Sequence, residues 1–113
     1  MNDLMTHCEA LIDAMVDDYN KQGFTHVNRI YSLSEGRNYI KIIAADESNP
    51  DRASVAGFIV KKSPKKAIDN KTGEPFYVGD MLMAASWNAP ATNFARGNVF
   101  NFDPRNVRWT GVL

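Results

Sequence analysis

The sequence predicts an α+β domain. It consists of an N-terminal helix, an antiparallel meander of four to five strands and a short helix in the C-terminal half. Both helices are expected to pack on one face of the sheet. Three observations favour this class. Apolar residues recur at helical spacing near the N-terminus, apolar and polar residues alternate in two later segments, and short polar stretches connect them. The 113 residues suffice for one modest core, so we expect a single domain over 1–113.

The N-terminal helix is predicted over residues 3–21. Its apolar face carries Leu4, Cys8, Leu11, Ile12, Met15 and Tyr19. Its opposite face carries Glu9, Asp13, Asp17 and Lys21. Since Cys8 is the only cysteine, it has no intramolecular disulfide partner, and we expect it to be a small core residue.

Four strands are predicted for the meander, over residues 25–33, 38–45, 53–61 and about 76–84. A turn at 34–37 joins the first two strands. In the second strand, one face is expected to hold Ile40, Ile42 and Ala44, and the other Tyr39, Lys41 and Ile43. In the third, one face is expected to hold Phe58 and Val60, and the other Val55 and Ile59.

The short helix is predicted from residue 88 to about residue 97, because Pro90 suits the first turn of a helix and Gly97 suits its end. The tail, residues 107–113, is the candidate fifth strand. Residues 62–74 form a lysine-rich loop, which we expect to be the most mobile segment.

Composition and charge narrow the function classes. Thirteen basic residues balance thirteen acidic ones, which argues against strong non-specific binding to nucleic acid but leaves room for a local basic face. No apolar run approaches the roughly 18 residues of a membrane span. The N-terminus lacks the basic region of a signal peptide. We therefore expect a cytoplasmic protein without a membrane partner.

The sequence contains no pattern that indicates catalysis. His7, Cys8 and His26 do not have the spacing of metal ligands. There is no phosphate-binding loop and no nucleophile elbow. We therefore expect a protein that is not an enzyme and that has no cofactor and no metal.

The densest group of unusual residues lies at 79–99 and includes Trp87, Arg96 and Asn98. Trp87 is either a core anchor or a binding residue. Arg96, Gly97 and Asn98 either cap the end of the short helix or bind a partner. The binding interpretations make Trp87, Arg96 and Asn98 candidate site residues.

A second candidate surface lies on the predicted sheet, where Arg37, Tyr39 and Lys41 are candidate partner-binding residues. Basic residues near the sheet are Arg29, Arg37, Lys41, Arg52 and Arg96, and those around the loop are Lys61, Lys62, Lys65, Lys66 and Lys71. A face with Tyr31, Tyr39 and Phe58 beside Arg29 and Lys41 would stack bases and contact phosphates. Alternatively, the aromatic residues are core and the lysines are simply solvated.

The chain contains a Ser-Trp-x-x-Pro-Ala segment followed by Ala-Arg-Gly-Asn. In this region and in two strands it resembles a group of small uncharacterised proteins of tailed bacteriophages. The similar segments are 39–42, 54–59, 79–87, 90–91 and 95–98. The similarity covers about residues 36–101. Met83 departs from the group, in which lysine is common at this position. The resemblance implies a phage source and a compact domain, and it implies no activity.

The sequence therefore predicts a non-enzymatic bacteriophage accessory protein that binds a macromolecular partner through one sheet face and the segment 86–98. We expect a host or phage protein first, and nucleic acid through a local basic face second. One alternative is a nucleotide or small-ligand binder, with Trp87 stacking on a base and Arg96 contacting phosphate. The other is a virion component, in which Trp109 and the apolar tail pack against neighbours. The expected location is the host cytoplasm during infection, or else the virion.

Overall fold

The computed structural model describes residues 3–21, 29–46, 49–62, 68–102, 107–108 and 111–112. Its elements are helix α1 (Asp3–Lys21) and strands β1 (Arg29–Glu35), β2 (Tyr39–Asp46), β3 (Asn49–Val60), β4 (Met81–Leu82), β5 (Val107–Arg108) and β6 (Gly111–Val112). Strands β1 to β4 form one antiparallel sheet in chain order. This confirms the predicted α+β class with an N-terminal helix and a four-stranded antiparallel meander.

Helix α1 packs on one face of this sheet, which we call the helix face. Its bounds, Asp3–Lys21, are those predicted. The buried cluster joins Leu4, Cys8, Leu11 and Met15 of the helix to Ile40, Ile42 and Ala44 of β2. Burial, with a smaller contribution from the charge of Glu9, raises the pKa of the Cys8 thiol to about 11. Cys8 is therefore an uncharged core residue at neutral pH.

A β-bulge in β3 changes which residues share a face. Ile42 pairs with Gly57 whereas Ile43 pairs with Val55, so Ala56 is an extra residue on β3. Because one inserted residue reverses the alternation, Val55 packs with Phe58, and not with Ile59. The predicted pairing of Val55 with Ile59 on one face is therefore wrong.

The other face of the sheet, here the second face, is partly covered by the chain between residues 68 and 98. Phe76 and Leu82 bury Phe58 and Val60, and the half-buried residues around them are Tyr39, Val55, Ala84 and Ala95. Over β1 the second face stays open, since Ile30, Ser32 and Ser34 are exposed. The boundary between the covered and open parts creates a cleft on the second face.

The predicted helix from residue 88 to residue 97 is wrong. Pro90 instead forms an isolated antiparallel bridge with Ala84, and the Ala91 N–H donates to the Met83 carbonyl at 2.7 Å. The Ala85 and Ser86 N–H groups both donate to the Ala89 carbonyl. The chain therefore folds back on itself as a tight loop, and its hydrogen bonds replace those of a helix.

The fourth and fifth strands also differ from the prediction. Strand β4 has two residues in place of about nine, because residues 77–80 form a turn closed by the Asp80 N–H on the Tyr77 carbonyl. The tail does not add a fifth strand to the main sheet, since β5 and β6 pair with each other as a separate two-stranded sheet. Residues 25–28, Lys65, Lys66, His26 and Trp109, which entered the sequence predictions, lie outside the described residues.

Gly79 is predicted to be the least replaceable glycine of the described chain. Its φ is +93°, and a Cβ there would lie 2.7 Å from the Phe100 ring and 2.8 Å from Asn98 Oδ1. Gly73, with φ of +73°, serves as a matched control, because a Cβ at that position would meet nothing within 4 Å. We expect Gly73→Ala to cost about 1 kcal/mol through backbone strain alone, and Gly79→Ala to cost at least about 1 kcal/mol more. Equal losses of unfolding free energy in urea would contradict the predicted steric conflict.

Candidate functional site

The cleft lies on the second face, beside the turn between β1 and β2. Its volume is about 300 Å³. Its walls are formed by Ser34, Gly36, Arg37, Asn38, Tyr39, Lys41, Phe58 and Asn88. It therefore joins the turn, strand β2 and the loop around residue 88. Three of the predicted site residues, Arg37, Tyr39 and Lys41, line it.

The β1–β2 turn gathers positive charge at one end of the cleft. The Gly36 N–H closes the turn by donating to the Tyr39 carbonyl at 2.9 Å. The Asn38 carbonyl accepts the N–H groups of Lys61 and Lys62 at 2.8 and 3.1 Å, which brings the end of β3 against the turn. Lys61 is ion-paired with Glu35. Within the described residues the side chains of Arg37 and Lys62 make no ion pair, so their charges are available to a ligand.

Trp87 lies beside the cleft, in contact with Lys41, which lines it. The Lys41 Nζ lies 4.7 Å from the centroid of the Trp87 ring, which is cation–π distance, and 3.4 Å from Asn88 Oδ1. Trp87 is 46% exposed. The core-anchor interpretation of Trp87 is therefore wrong. A large apolar ring is instead held at the surface by a cation.

The aromatic face predicted from Tyr31, Tyr39 and Phe58 does not form. Tyr31 pairs with Ala44 on the helix face, on the far side of the sheet. Phe58 is only 3% exposed and supports Tyr39 edge-on, with 6.1 Å between ring centroids. Burial raises the pKa of Tyr39, so its hydroxyl stays protonated at neutral pH. The side chains of Arg29 and Arg52 lie outside the described residues.

Arg96 lies over Phe94. Its guanidinium carbon is 4.1 Å from the Phe94 ring centroid, and the Lys71 Nζ is 4.3 Å from the same ring. The Arg96 Nε is buried without a hydrogen-bond partner among the described residues. The helix-cap interpretation of Arg96 is wrong because residues 88–97 do not form a helix. Arg96 does not line the cleft, and its role in partner binding stays a prediction.

Asn98 connects two loops through its side-chain amide. Its Nδ2 donates to the Val78 carbonyl at 3.1 Å and to Asp80 Oδ1 at 3.0 Å, while its Oδ1 accepts the Phe100 N–H at 3.0 Å. These bonds use both ends of the amide to hold the chain around Gly79. The partner-binding role of Asn98 also stays a prediction.

A second recess, of about 270 Å³, lies between Asp69, Tyr77 and Asn98. The Asp69 carboxylate accepts the N–H groups of Lys71, Ala95 and Thr72 at 2.7, 2.9 and 3.4 Å. Burial opposes ionisation of Asp69, but these hydrogen bonds and the Lys71 charge outweigh it and lower the pKa of the carboxyl. Asp69 thus ties two loops together. In the described chain, no three His, Cys, Asp or Glu residues meet as a metal site.

Basic side chains gather around the cleft, although the total charge of the sequence is balanced. Helix α1 contains five carboxylate residues and one lysine, and it covers the helix face. Arg37, Lys41, Lys61 and Lys62 surround the cleft, with Glu35 as the neighbouring acid. The sequence pattern places Lys62 in a loop and does not single out Asn88. Only the fold brings Asn88 to Lys41, from which it is separated by 47 positions.

Comparison with known proteins identifies the family of the chain but no activity. The model of a family of unknown function, DUF7717, matches residues 1–112. The chain belongs to the DUF7717 family. No curated protein and no solved structure matches the chain significantly. Among the described parts of the chain, no helix is long and apolar enough to cross a membrane. The evidence for function therefore comes from the cleft.

Proposed function

We propose that the protein is a non-enzymatic binding protein, a bacteriophage accessory factor, that engages a macromolecular partner through the cleft and the Trp87 ring beside it. The observation that carries this proposal is the exposed Trp87 ring in contact with Lys41, a residue that lines the cleft. Arg37 lines the same cleft and makes no ion pair within the described residues. Tryptophan and arginine are among the residues that contribute most to binding energy at interfaces. The phage source rests on the sequence resemblance.

The chemistry of the cleft supports binding over catalysis. Its lining residues in the described chain include no His, Cys, Asp or Glu that would act as a nucleophile or a general base. Glu35, close by, is neutralised by Lys61. The cations, amides and aromatic rings of the cleft are suited to holding an anionic or planar ligand. The contacts of Lys41 with Trp87 and Asn88 also preorganise the site, which lowers the entropy cost of binding.

Trp87→Ala is expected to abolish capture of the partner while leaving the fold intact. Tagged protein would be used to capture partners from extracts of infected host cells, and bound proteins and nucleic acids would be quantified. Lys71→Ala is the matched control, because Lys71 also lies over an aromatic ring, Phe94, but away from the cleft. We expect at least a tenfold loss of the captured partner for Trp87→Ala and no loss for Lys71→Ala. Equal capture by wild type and Trp87→Ala would contradict the proposal.

A further inference from the structure

We infer that the partner is a single-stranded nucleic acid, one base of which stacks on Trp87 while neighbouring phosphates contact Arg37 and Lys62. This inference rests on the proposed function, because it names the chemical class of the ligand for the same cleft. Three features of the cleft and its surroundings support it: the stacking surface of Trp87, the positions of the cations, and room for one base.

Trp87 provides the stacking surface. Lys41 lies over the indole and is itself held by Asn88 Oδ1 at 3.4 Å, so ring and cation keep a defined arrangement. With 46% of the residue exposed, much of its surface remains open to a ligand. Every nucleobase has a flat face that stacks on such a ring, and this contact does not depend on sequence.

Basic side chains lie both in the cleft and beside the β1–β2 turn. A polyanion such as a nucleic acid contacts several cations along its length. Arg37 lines the cleft, and the Asn38 carbonyl fixes Lys62 beside the same turn through its backbone N–H. Both side chains are exposed and without an ion pair in the described chain. Two free cations on either side of one turn match successive phosphates better than the single phosphate group of a mononucleotide. The acidic helix α1 packs on the helix face, away from the cleft.

The cleft has room for one base. Its volume is about 300 Å³, and it is lined by Lys41, which contacts the Trp87 ring. In a duplex each base is already stacked on both sides, so it is not available to Trp87 without unpairing. An acidic peptide would satisfy Arg37 and Lys62 but would leave the indole without a stacking partner. Single-stranded nucleic acid uses both features of the cleft.

Fluorescence anisotropy with a labelled oligo-dT of about 12 nucleotides tests this inference. We expect micromolar binding at low salt, and a slope of log K against log salt between about −1.4 and −2.1 for two or three phosphate contacts. Trp87→Ala should weaken binding at least about fivefold through the lost stacking. Arg37→Ala and Lys62→Ala should each reduce the magnitude of the salt slope by about 0.7. Lys71→Ala, the matched cation, should leave both quantities unchanged.

Four results would overturn the inference. The first is no binding of the oligonucleotide at about 100 µM protein, and the second is an equal loss of affinity for Lys71→Ala and Arg37→Ala. The third is binding of a duplex as tight as that of the single strand. The fourth is competition by thymidine monophosphate as strong as competition by the unlabelled oligonucleotide. The last result would assign the cleft to a free nucleotide. If the oligonucleotide fails while capture of a protein still depends on Trp87, the proposed function stands and this inference falls. If capture does not depend on Trp87, the proposed function itself falls.

Discussion

Leu11→Asp is expected to destabilise the domain more than any other single change proposed for it. Leu11 has no exposed surface and belongs to the core between α1 and β2. Aspartate there would place an unpaired carboxyl among apolar side chains and remove a well-packed leucine. We expect a loss of about 4 kcal/mol or more in unfolding free energy, a large part of the total stability of a domain this size.

Two further variants keep this prediction testable if Leu11→Asp does not fold. Leu11→Ala should cost about 2–5 kcal/mol through the cavity alone. Ala10→Asp introduces the same side chain at the adjacent exposed position and should cost less than about 1 kcal/mol, mainly through helix propensity. Urea denaturation measures all three. Similar losses for Ala10→Asp and Leu11→Ala would mean that α1 does not pack on the sheet through Leu11.

Asp69→Asn is expected to destabilise the domain, although the substitution is nearly isosteric. Asp69 Oδ2 accepts the Ala95 N–H at 2.9 Å. In asparagine, an amide NH₂ group at this place would face the Ala95 N–H, and because both groups are donors the hydrogen bond would be lost. The bonds from Lys71 and Thr72 to Oδ1 would remain possible but would lose the help of the charge. We expect a loss of about 1–3 kcal/mol in unfolding free energy at neutral pH.

The pH dependence gives this prediction a second readout. The folded-state pKa of Asp69 is lowered, so its ionised form contributes stability above the ordinary carboxyl pKa of about 4, and this contribution is lost as pH falls towards the folded-state value. The stability difference between wild type and Asp69→Asn should therefore shrink as pH falls below about 4. Asp13→Asn, which makes the same substitution at an exposed position on α1, is the control and should cost less stability at neutral pH. A difference for Asp69→Asn that stays constant with pH would contradict the ionised, hydrogen-bonded role.

The features that the sequence predicts well are those set by local periodicity. The spacing of Leu4, Cys8, Leu11 and Met15 predicts both the bounds of α1 and its buried face. The alternation of Ile40, Ile42 and Ala44 likewise predicts the buried face of β2. In both cases one repeated geometry determines which side chains meet the core, so that neighbours in sequence carry enough information.

The features that the sequence misses depend on long-range contacts. Pro90 suits the start of a helix, yet its backbone bridges to Ala84, and tertiary pairing overrides the local preference. The bulge at Ala56 is invisible in the alternation of β3, because its cause is the register with β2.

In the candidate site, too, the sequence predicts some features and misses those that depend on long-range contacts. Residue type alone singles out Arg37, Tyr39, Lys41 and Trp87 in the sequence. The fold brings the first three to one cleft and places Trp87 beside it, against Lys41. Arg96 and Asn98 belong to the same segment as Trp87, but their described contacts are with Phe94 and with the loop around Gly79. Proximity in sequence to Trp87 is therefore no guide to proximity in the fold.

Nuclear magnetic resonance titration of the ¹⁵N-labelled protein with unlabelled oligo-dT tests the cleft most directly, because it locates binding residue by residue. We expect chemical-shift changes to concentrate at the amides of residues 36–41, at Lys62 and at the indole N–H of Trp87. The spectrum of Trp87→Phe assigns that indole signal. The amides of Lys71 and Tyr77, in the second recess, should stay unchanged. Shifts centred on Lys71 and Tyr77, or no shift of the Trp87 indole at saturation, would contradict the assignment of the binding site to this cleft.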